Sequence, residues 1–404
     1  MTGETEPAEE ARIDQAMPKP IDADEERRTV RTFAAASFLN DMGSDMIYPI
    51  WPLFVTEVLG ANMAVLGLLD GLGEAMVSIS QAASGYASDR LGKRKVFIWT
   101  GYLMGALSRV GYAIALTWQA LVPFRLLDRA GKMRGAPRDA LVADASTRAT
   151  RGGNFGLLRA ADHLGATVGV LLCMVLFPLL GHRTVFMIAA VPTVVGAGLI
   201  IFIIRERRAE GESTFKGLSL HGLSRDLKLL VVLSAVFALG AFTYSFLLIH
   251  AQRLGVSDAY IPALYLIFTV VASLLSLPFG RLADTWGRRR VLAAAYALWG
   301  LVCVVAIGLR LVGAMPLLFV LFGAHKAALE PSQRAIVAEM APEGLRGSIL
   351  GGFNMVVGLA ALPASLLAGV LWDRLAPGVP FMASLGLTII ATLLLVFVRE
   401  PEGE

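Results

Sequence analysis

Two aspartates one helical turn apart, Asp41 and Asp45, stand in an otherwise apolar stretch. Like charges at that spacing share a helix face and couple their ionisation, so proton binding there can follow a change in the surrounding water. Asp70 and Glu74 repeat the spacing beside Gly71 and Gly73. Arg125, Arg129 and Arg159 bring the complementary charge, with Asp128 and Asp162 close by in sequence. A guanidinium shielded from water presents a planar fork of donors that fits a substrate carboxylate or phosphate. The same fork equally neutralises Asp41, Asp45, Asp128 or Asp162, and residue type leaves both roles open. Proton and solute binding is therefore the chemistry to expect of Asp41, Asp45, Asp70, Arg125, Arg129, Arg159 and Asp162. His250, near the end of a later apolar run, joins them.

The elements that carry these groups are unusual. Of 404 residues 56% are apolar and only 17% charged, whereas a water-soluble surface needs about a quarter charged. Apolar segments lie at 33–58, 63–86, 96–116, 118–143, 153–179, 184–204, 228–251, 260–281, 291–311, 314–339, 348–372 and 380–398. Each is near the roughly 20 residues a membrane helix requires. This predicts an all-helical integral membrane protein with twelve transmembrane helices. An ionised side chain facing lipid at mid-depth costs about 2.5–3.5 kcal/mol, and ten such residues would exceed the usual ~5–15 kcal/mol of net stability. The intramembrane charges must face one another or water.

Lys and Arg mark the topology. Arg90, Lys93, Arg94, Lys95, Arg148, Arg151, Arg205, Arg207, Arg208, Lys216, Arg225, Arg288, Arg289, Arg290 and Arg346 fall in the loops of one side, and only Arg183, Arg253, Arg310 and Arg374 in those of the other. The bias puts both termini in the cytoplasm of a multi-pass protein of the cell (inner or plasma) membrane. It also accounts for the net charge of +4 without nucleic acid. Residues 1–31 read as a disordered cytoplasmic tail, 205–227 as a cytoplasmic linker and 399–404 as a second tail. Cys173 and Cys303 are packing residues by their apolar surroundings. No phosphate loop, Gly-x-Ser-x-Gly, His-Glu-x-x-His or Cys-x-x-Cys is present, so neither an enzyme nor a cofactor is expected. His163, His250 and His325 lack ligand spacing, and no metal site is predicted.

One offset relates the two halves. Gly85, Asp89, Gly92, Arg94 and Lys95 recur 195 residues later as Gly280, Asp284, Gly287, Arg289 and Arg290. The same offset carries Ala140–Asp144 onto Ala335–Glu339 and Arg151-Gly152 onto Arg346-Gly347, and sets Asn354 at the position of Arg159. A duplication is implied, giving six-helix bundles at 32–204 and 228–398 with a substrate path between them. Asn354 thereby enters the candidate site.

These residues resemble a family. GYASDRLGKRK at 85–95 and GRLADTWGRRR at 280–290 resemble the two loop signatures of the major facilitator superfamily (MFS), and SDMIYPIWP at 44–52 is similar to a first-helix element of its twelve-helix drug:proton antiporters. Two departures stand out: Gly165-Ala-Thr-Val-Gly169 is followed by Val170 where that branch has proline, and Thr285 replaces the Arg90 of the first copy. The resemblance implies an MFS fold and secondary active transport of a small-molecule substrate by alternating access, coupled to protons, in a monomer within the lipid bilayer, with efflux favoured over uptake. A divalent-metal or an organic-anion/siderophore carrier, or a lipid flippase or scramblase, are alternatives on the same fold.

The loops carry their own physical expectation. Glycine at 85 and 280 permits close helix approach, and Asp89 and Asp284 can cap a helix N-terminus and pair with nearby bases. Gly85, Asp89, Arg90, Arg94, Arg138, Asp144, Gly280, Asp284 and Arg289 are thus expected to form conformational latches that break when the halves rock. Lys326, Glu330 and Arg334, at successive turns, read as an internal salt-bridge stack.

Overall fold

The computed structural model describes residues 23–147, 150–205, 223–309, 311–341 and 346–399, with no side-chain description for Asp89, Arg346 and Gly347. Most of the expected tail at 1–31, most of the linker and the last five residues lie outside the described residues. Among those described, every regular element is helical: α1 Ala23–Asp45, α2 Met63–Leu91, α3 Arg94–Ile114, α4 Trp118–Ala130, α5 Gly135–Asp144, α6 Arg151–Ile203, α7 Arg225–Gly240, α8 Tyr244–Arg253, α9 Ile261–Trp286, α10 Arg288–Gly308, α11 Met315–Met340, α12 Arg346–Arg374 and α13 Val379–Leu395.

Several boundaries differ from the hydropathy segments for identifiable reasons. The first helix includes residues 23–31 of the expected tail, with Asp24, Glu25 and Glu26 in its first described turn. Glu26 is also buried, and its carboxylate accepts from Asn154 at 2.7 Å and from Thr150. The 53 residues of α6 would form a rod of about 80 Å, more than twice the hydrocarbon thickness. Gly181, at φ 70° and ψ 175°, breaks that rod into two passes. Among the described residues seven helical stretches are long and apolar enough to cross a membrane on length and composition, with 225–253 counted across the α7–α8 break. The remaining apolar segments are interrupted by turns, rich in charge, short or, at 96–116, diluted by Gly, Tyr and Arg109.

The interruptions repeat. The first helix gives way to turns over residues 46–50, where Pro49 and Pro52 supply no N–H, and α7 stops at Gly240 to resume at Tyr244. Residues 46 and 241 are separated by the same 195-residue offset as the loop signatures.

Helices before the linker pack chiefly with one another, α1 and α3 on α6 and α2 and α3 on α4; after it, α9 and α10 pack on α11, and α7 and α10 on α13. The two sets meet along α2–α12 and α6–α9. Small residues make the first seam: a Cβ at Gly67, Gly71 or Gly369 would fall on the opposing backbone. Outward, Leu116, Leu179, Leu274, Phe202 and Phe397 are exposed, as lipid-facing side chains must be. Inward, Asp45, Asp70, Arg109, Arg125, Asp128, Arg129, Arg134 and Arg138 are all buried. These eight charges within the spans therefore face protein, whereas Arg159, Glu330 and Arg334 are exposed. The end of the molecule bearing Lys93–Lys95 and Arg288–Arg290 is the basic end below, and the opposite one the far end.

Candidate functional site

Asp70 is the hub. Its Oδ1 accepts from Arg125 Nη2 at 2.6 Å and from Trp51 Nε1 at 3.0 Å, and its Oδ2 accepts from Thr243 Oγ1 at 2.8 Å. Three first-half elements and the α7–α8 break thus converge on one carboxylate. The turns after Asp45 make this possible by swinging Trp51 off the α1 axis, and Arg125 lies over its indole face at 4.3 Å. One turn further along α2, Glu74 stands 4.0 Å from Arg129, which also faces Asp128 at 3.7 Å and the Tyr48 ring at 5.1 Å.

Asp45 is held apart from this group. It is buried at the end of α1, where Tyr265 of α9 donates its hydroxyl at 3.1 Å. Both carboxylates, Asp45 and Asp70, hence have a hydroxyl partner in the other half. Asp41, a turn away, accepts from Asn40 Nδ2 at 2.7 Å and is half-buried. Towards the basic end a second cluster forms: Arg138 meets Ser37 at 2.8 Å, Asp139 at 3.0 Å and Asp162 at 3.5 Å, and Arg159 meets Asp162 at 3.4 Å and Asp139 at 3.7 Å. Arg159 and Asn354, related by the internal repeat, are both exposed. His250 sits elsewhere, its ring 5.2 Å from Phe381 and 6.1 Å from Trp372.

The loop residues divide in a way spacing does not show. Arg94 pairs with Asp144. In the second copy Arg288 pairs with Glu339 and lies 3.9 Å from Asp284. Arg289 instead donates to the Val398 carbonyl at 2.7 Å, as Lys95 does to the Ile201 carbonyl at 2.8 Å. The two roles are kept and shifted by one residue. Arg90 donates to Tyr86 at 3.1 Å. Gly85 approaches Ala136, whereas a Cβ on Gly280 would meet nothing within 4 Å, so no close approach is made there. Arg138 joins Asp162 rather than Asp144. The Asp89 side chain lies outside the described residues. The salt-bridge stack expected in α11 is not formed: Glu330 and Arg334 are exposed, and Lys326 faces the Phe322 ring at 5.9 Å.

A cavity of about 240 Å³ adjoins the hub. Thr243 and Tyr244 form one wall, and Glu74 alone reaches it from the first half. Its residues were largely missed in the sequence because they lie on helices with little charge. By residue type and sequence position, the aromatic and methionine side chains expected to line an amphipathic pocket are Met42, Met46, Tyr48, Trp51, Tyr244 and Phe246. Tyr244 alone of these lines the cavity, while Phe246 is fully buried in the second-half core.

The sequence profile of the Major Facilitator Superfamily matches residues 33–251 and 229–404. "Uncharacterized MFS-type transporter MJ1317" of Methanocaldococcus jannaschii is 36% identical over 382 residues, covering 92% of this chain and 95% of that protein. "Multidrug resistance protein MdtH" of Aeromonas hydrophila is 24% identical over 392 residues, covering 93% and 97%. Among solved structures, a bacterial homologue of the human lysosomal transporter Spinster, in an inward-facing and occupied conformation, superposes with a TM-score of 0.75 at 15% identity over 95% of this chain and 97% of that one. The fold, the paired loop signatures and a match running the length of both halves agree: the chain is a membrane-embedded transporter belonging to the Major Facilitator Superfamily.

Proposed function

We propose that the protein is a secondary active, proton-coupled carrier of a small solute, built as twelve spans in two pseudo-symmetric bundles and working as a monomer by alternating access. Both termini are cytoplasmic in this reading, by the Lys and Arg bias, and the membrane is the cell membrane. Efflux is the favoured direction, supported by the first-helix element and by similarity to a multidrug resistance protein.

The observation that carries the reading is the placement of Asp45 and Asp70. Each is a buried carboxylate of the first half whose hydrogen bond crosses to a hydroxyl of the second, Tyr265 or Thr243. Rocking the halves breaks those bonds and changes the solvation of the acids, so proton occupancy and the open side are linked. The described hydrogen bonds between halves lie at the far end or mid-depth, namely Met63 and Ala64 to Asp373, Gln252 to Glu57, Tyr265 to Asp45, Thr243 to Asp70 and Ser273 to His163. Arg159 and Asn354 are exposed towards the basic end. This state fits one open to the cytoplasm.

Proteoliposome flux measured with and without an imposed pH gradient tests the assignment, after a thermal-shift screen of drugs, metals, sugars and organic anions has supplied a solute. Accumulation against a solute gradient, driven by the pH gradient, is expected. Equilibration alone would indicate a scramblase or facilitator and sink the proposal.

A further inference from the structure

The cavity beside the hub has a chemistry distinct from the charged centre. Phe242, Phe268, Trp299 and Phe322 supply aromatic faces. Phe242 meets Trp299 edge-on at 5.6 Å, and Phe268 meets Phe322 at 4.8 Å. Lys326 is the only cation in the lining, and among the described residues no carboxylate lies within 4.0 Å of its ammonium. The one acid in the lining, Glu74, already faces Arg129. Tyr244 and Ser365 also line it, and among the described residues their buried hydroxyls have no hydrogen-bond partner.

We propose that this cavity binds a small planar aromatic carboxylate, its ring between the aromatic walls and its carboxylate on the Lys326 ammonium. The assignment rests on the transport reading above and names its substrate class. An aromatic enclosure by itself suits a cation equally well. Lys326 decides against one, since a second cation here would be repelled and would find its only acid engaged. An anion gains a charge-assisted bond from Lys326. The volume, below the ~300–1,000 Å³ of drug-sized pockets, suits a solute of one ring or two fused rings.

Isothermal titration of the purified full-length protein in nanodiscs provides the test, with 1-naphthoate, its neutral isostere 1-naphthamide and the cation 1-naphthylmethylammonium as probes. Naphthoate should bind at least about tenfold more tightly than either. Lys326→Gln should remove that preference while leaving naphthamide binding unchanged, and Lys326→Arg should retain it. Equal affinities for the three probes, or a preference for the cation, overturns the proposal. So does undiminished naphthoate binding in folded Lys326→Gln, and the probe series on the wild type decides alone if that variant does not fold. Failure here is separable from failure of the transport reading. Naphthoate that binds but never moves across proteoliposomes leaves the site intact and removes coupled transport. Conversely, pH-driven flux of another solute, with no naphthoate binding, removes only the substrate class.

Discussion

The Asp373 carboxylate at the end of α12 accepts a hydrogen bond from the backbone N–H of Ala64, at 2.8 Å, across the seam between the halves. The same carboxylate takes the Met63 N–H at 3.2 Å, and Asn62 caps Val65 at 3.0 Å. Three of the orphan donors that begin α2 are thereby satisfied, two of them by the opposite half. A helix N-terminus bears partial positive charge, so a carboxylate there contributes about 1 kcal/mol while the far end is closed and nothing once it opens.

Asp373→Ala should therefore shift the balance towards the far-end-open state by about fivefold. A cysteine placed at Ala241, in the cavity wall, reports it through the rate of labelling by an impermeant maleimide added outside. Identical labelling rates in the two backgrounds would show that the cap does not hold the seam.

Asp70 and Arg125 present a different balance, because both are buried. Removing one member of such a pair leaves a desolvated charge and costs about 3–5 kcal/mol, whereas removing both is far milder. Asp70→Asn should lower the thermal unfolding midpoint more than the double variant Asp70→Asn/Arg125→Gln does. A double variant no more stable than the single one would mean that the two side chains act independently.

Arg109 is a clasp of a third kind. Its guanidinium donates to the Ala189 carbonyl at 2.8 Å, to Ser44 Oγ at 2.7 Å, to the Asn40 carbonyl at 3.3 Å and to Thr193, tying α1 and α6 to α3. Four acceptors in two directions need the planar fork, which a lysine lacks. Arg109→Lys should accordingly cost several kcal/mol, read as a loss of folded protein on size-exclusion chromatography. A monodisperse variant with an unchanged unfolding midpoint would contradict that role.

Asp45 and Tyr265 separate coupling from stability. Asparagine can accept the same Tyr265 hydroxyl, so Asp45→Asn should unfold within about 1 kcal/mol of the wild type. It cannot exchange a proton in the working range, so the pH dependence of flux should disappear. Flux that retains its pH dependence in this variant would take Asp45 out of the coupling step.

The charged centre was legible because ionised residues in apolar runs have few options: Asp45, Asp70, Arg125 and Arg129 stand out by type alone, and burial follows from the cost of facing lipid. Their partners did not stand out. Tyr265 and Thr243 are ordinary residues in a membrane helix and acquire meaning only when α9 and the α7–α8 break are set against the first half. The α11 series misled for the opposite reason, since four-residue spacing brings Lys326 and Glu330 to one face but does not stop each from turning to water or an aromatic ring. The helix over residues 23–31 was hidden by composition, because Glu26 is stabilised by Thr150 and Asn154, far away in sequence.

The second loop signature shows the limit of repeat arithmetic and yields the sharpest contrast. The 195-residue offset matches Arg94 with Arg289, yet the partner of Glu339 is Arg288, and Arg289 caps the chain after α13 at Val398. Gly287, at φ 96° and ψ 137°, starts α10 directly, while the first copy passes through Gly92 at φ 61° and Lys93 before α3 begins. That missing residue of extended chain rotates the basic side chains by one position. Arg288→Ala should thus alter the conformational balance, read as a change of about threefold or more in Ala241→Cys labelling. Arg289→Ala, losing a bond to terminal carbonyls, should lower the unfolding midpoint while leaving that labelling rate unchanged. If Arg289→Ala shifts the labelling and Arg288→Ala does not, the repeat register describes the working latch better than the ion pairs do.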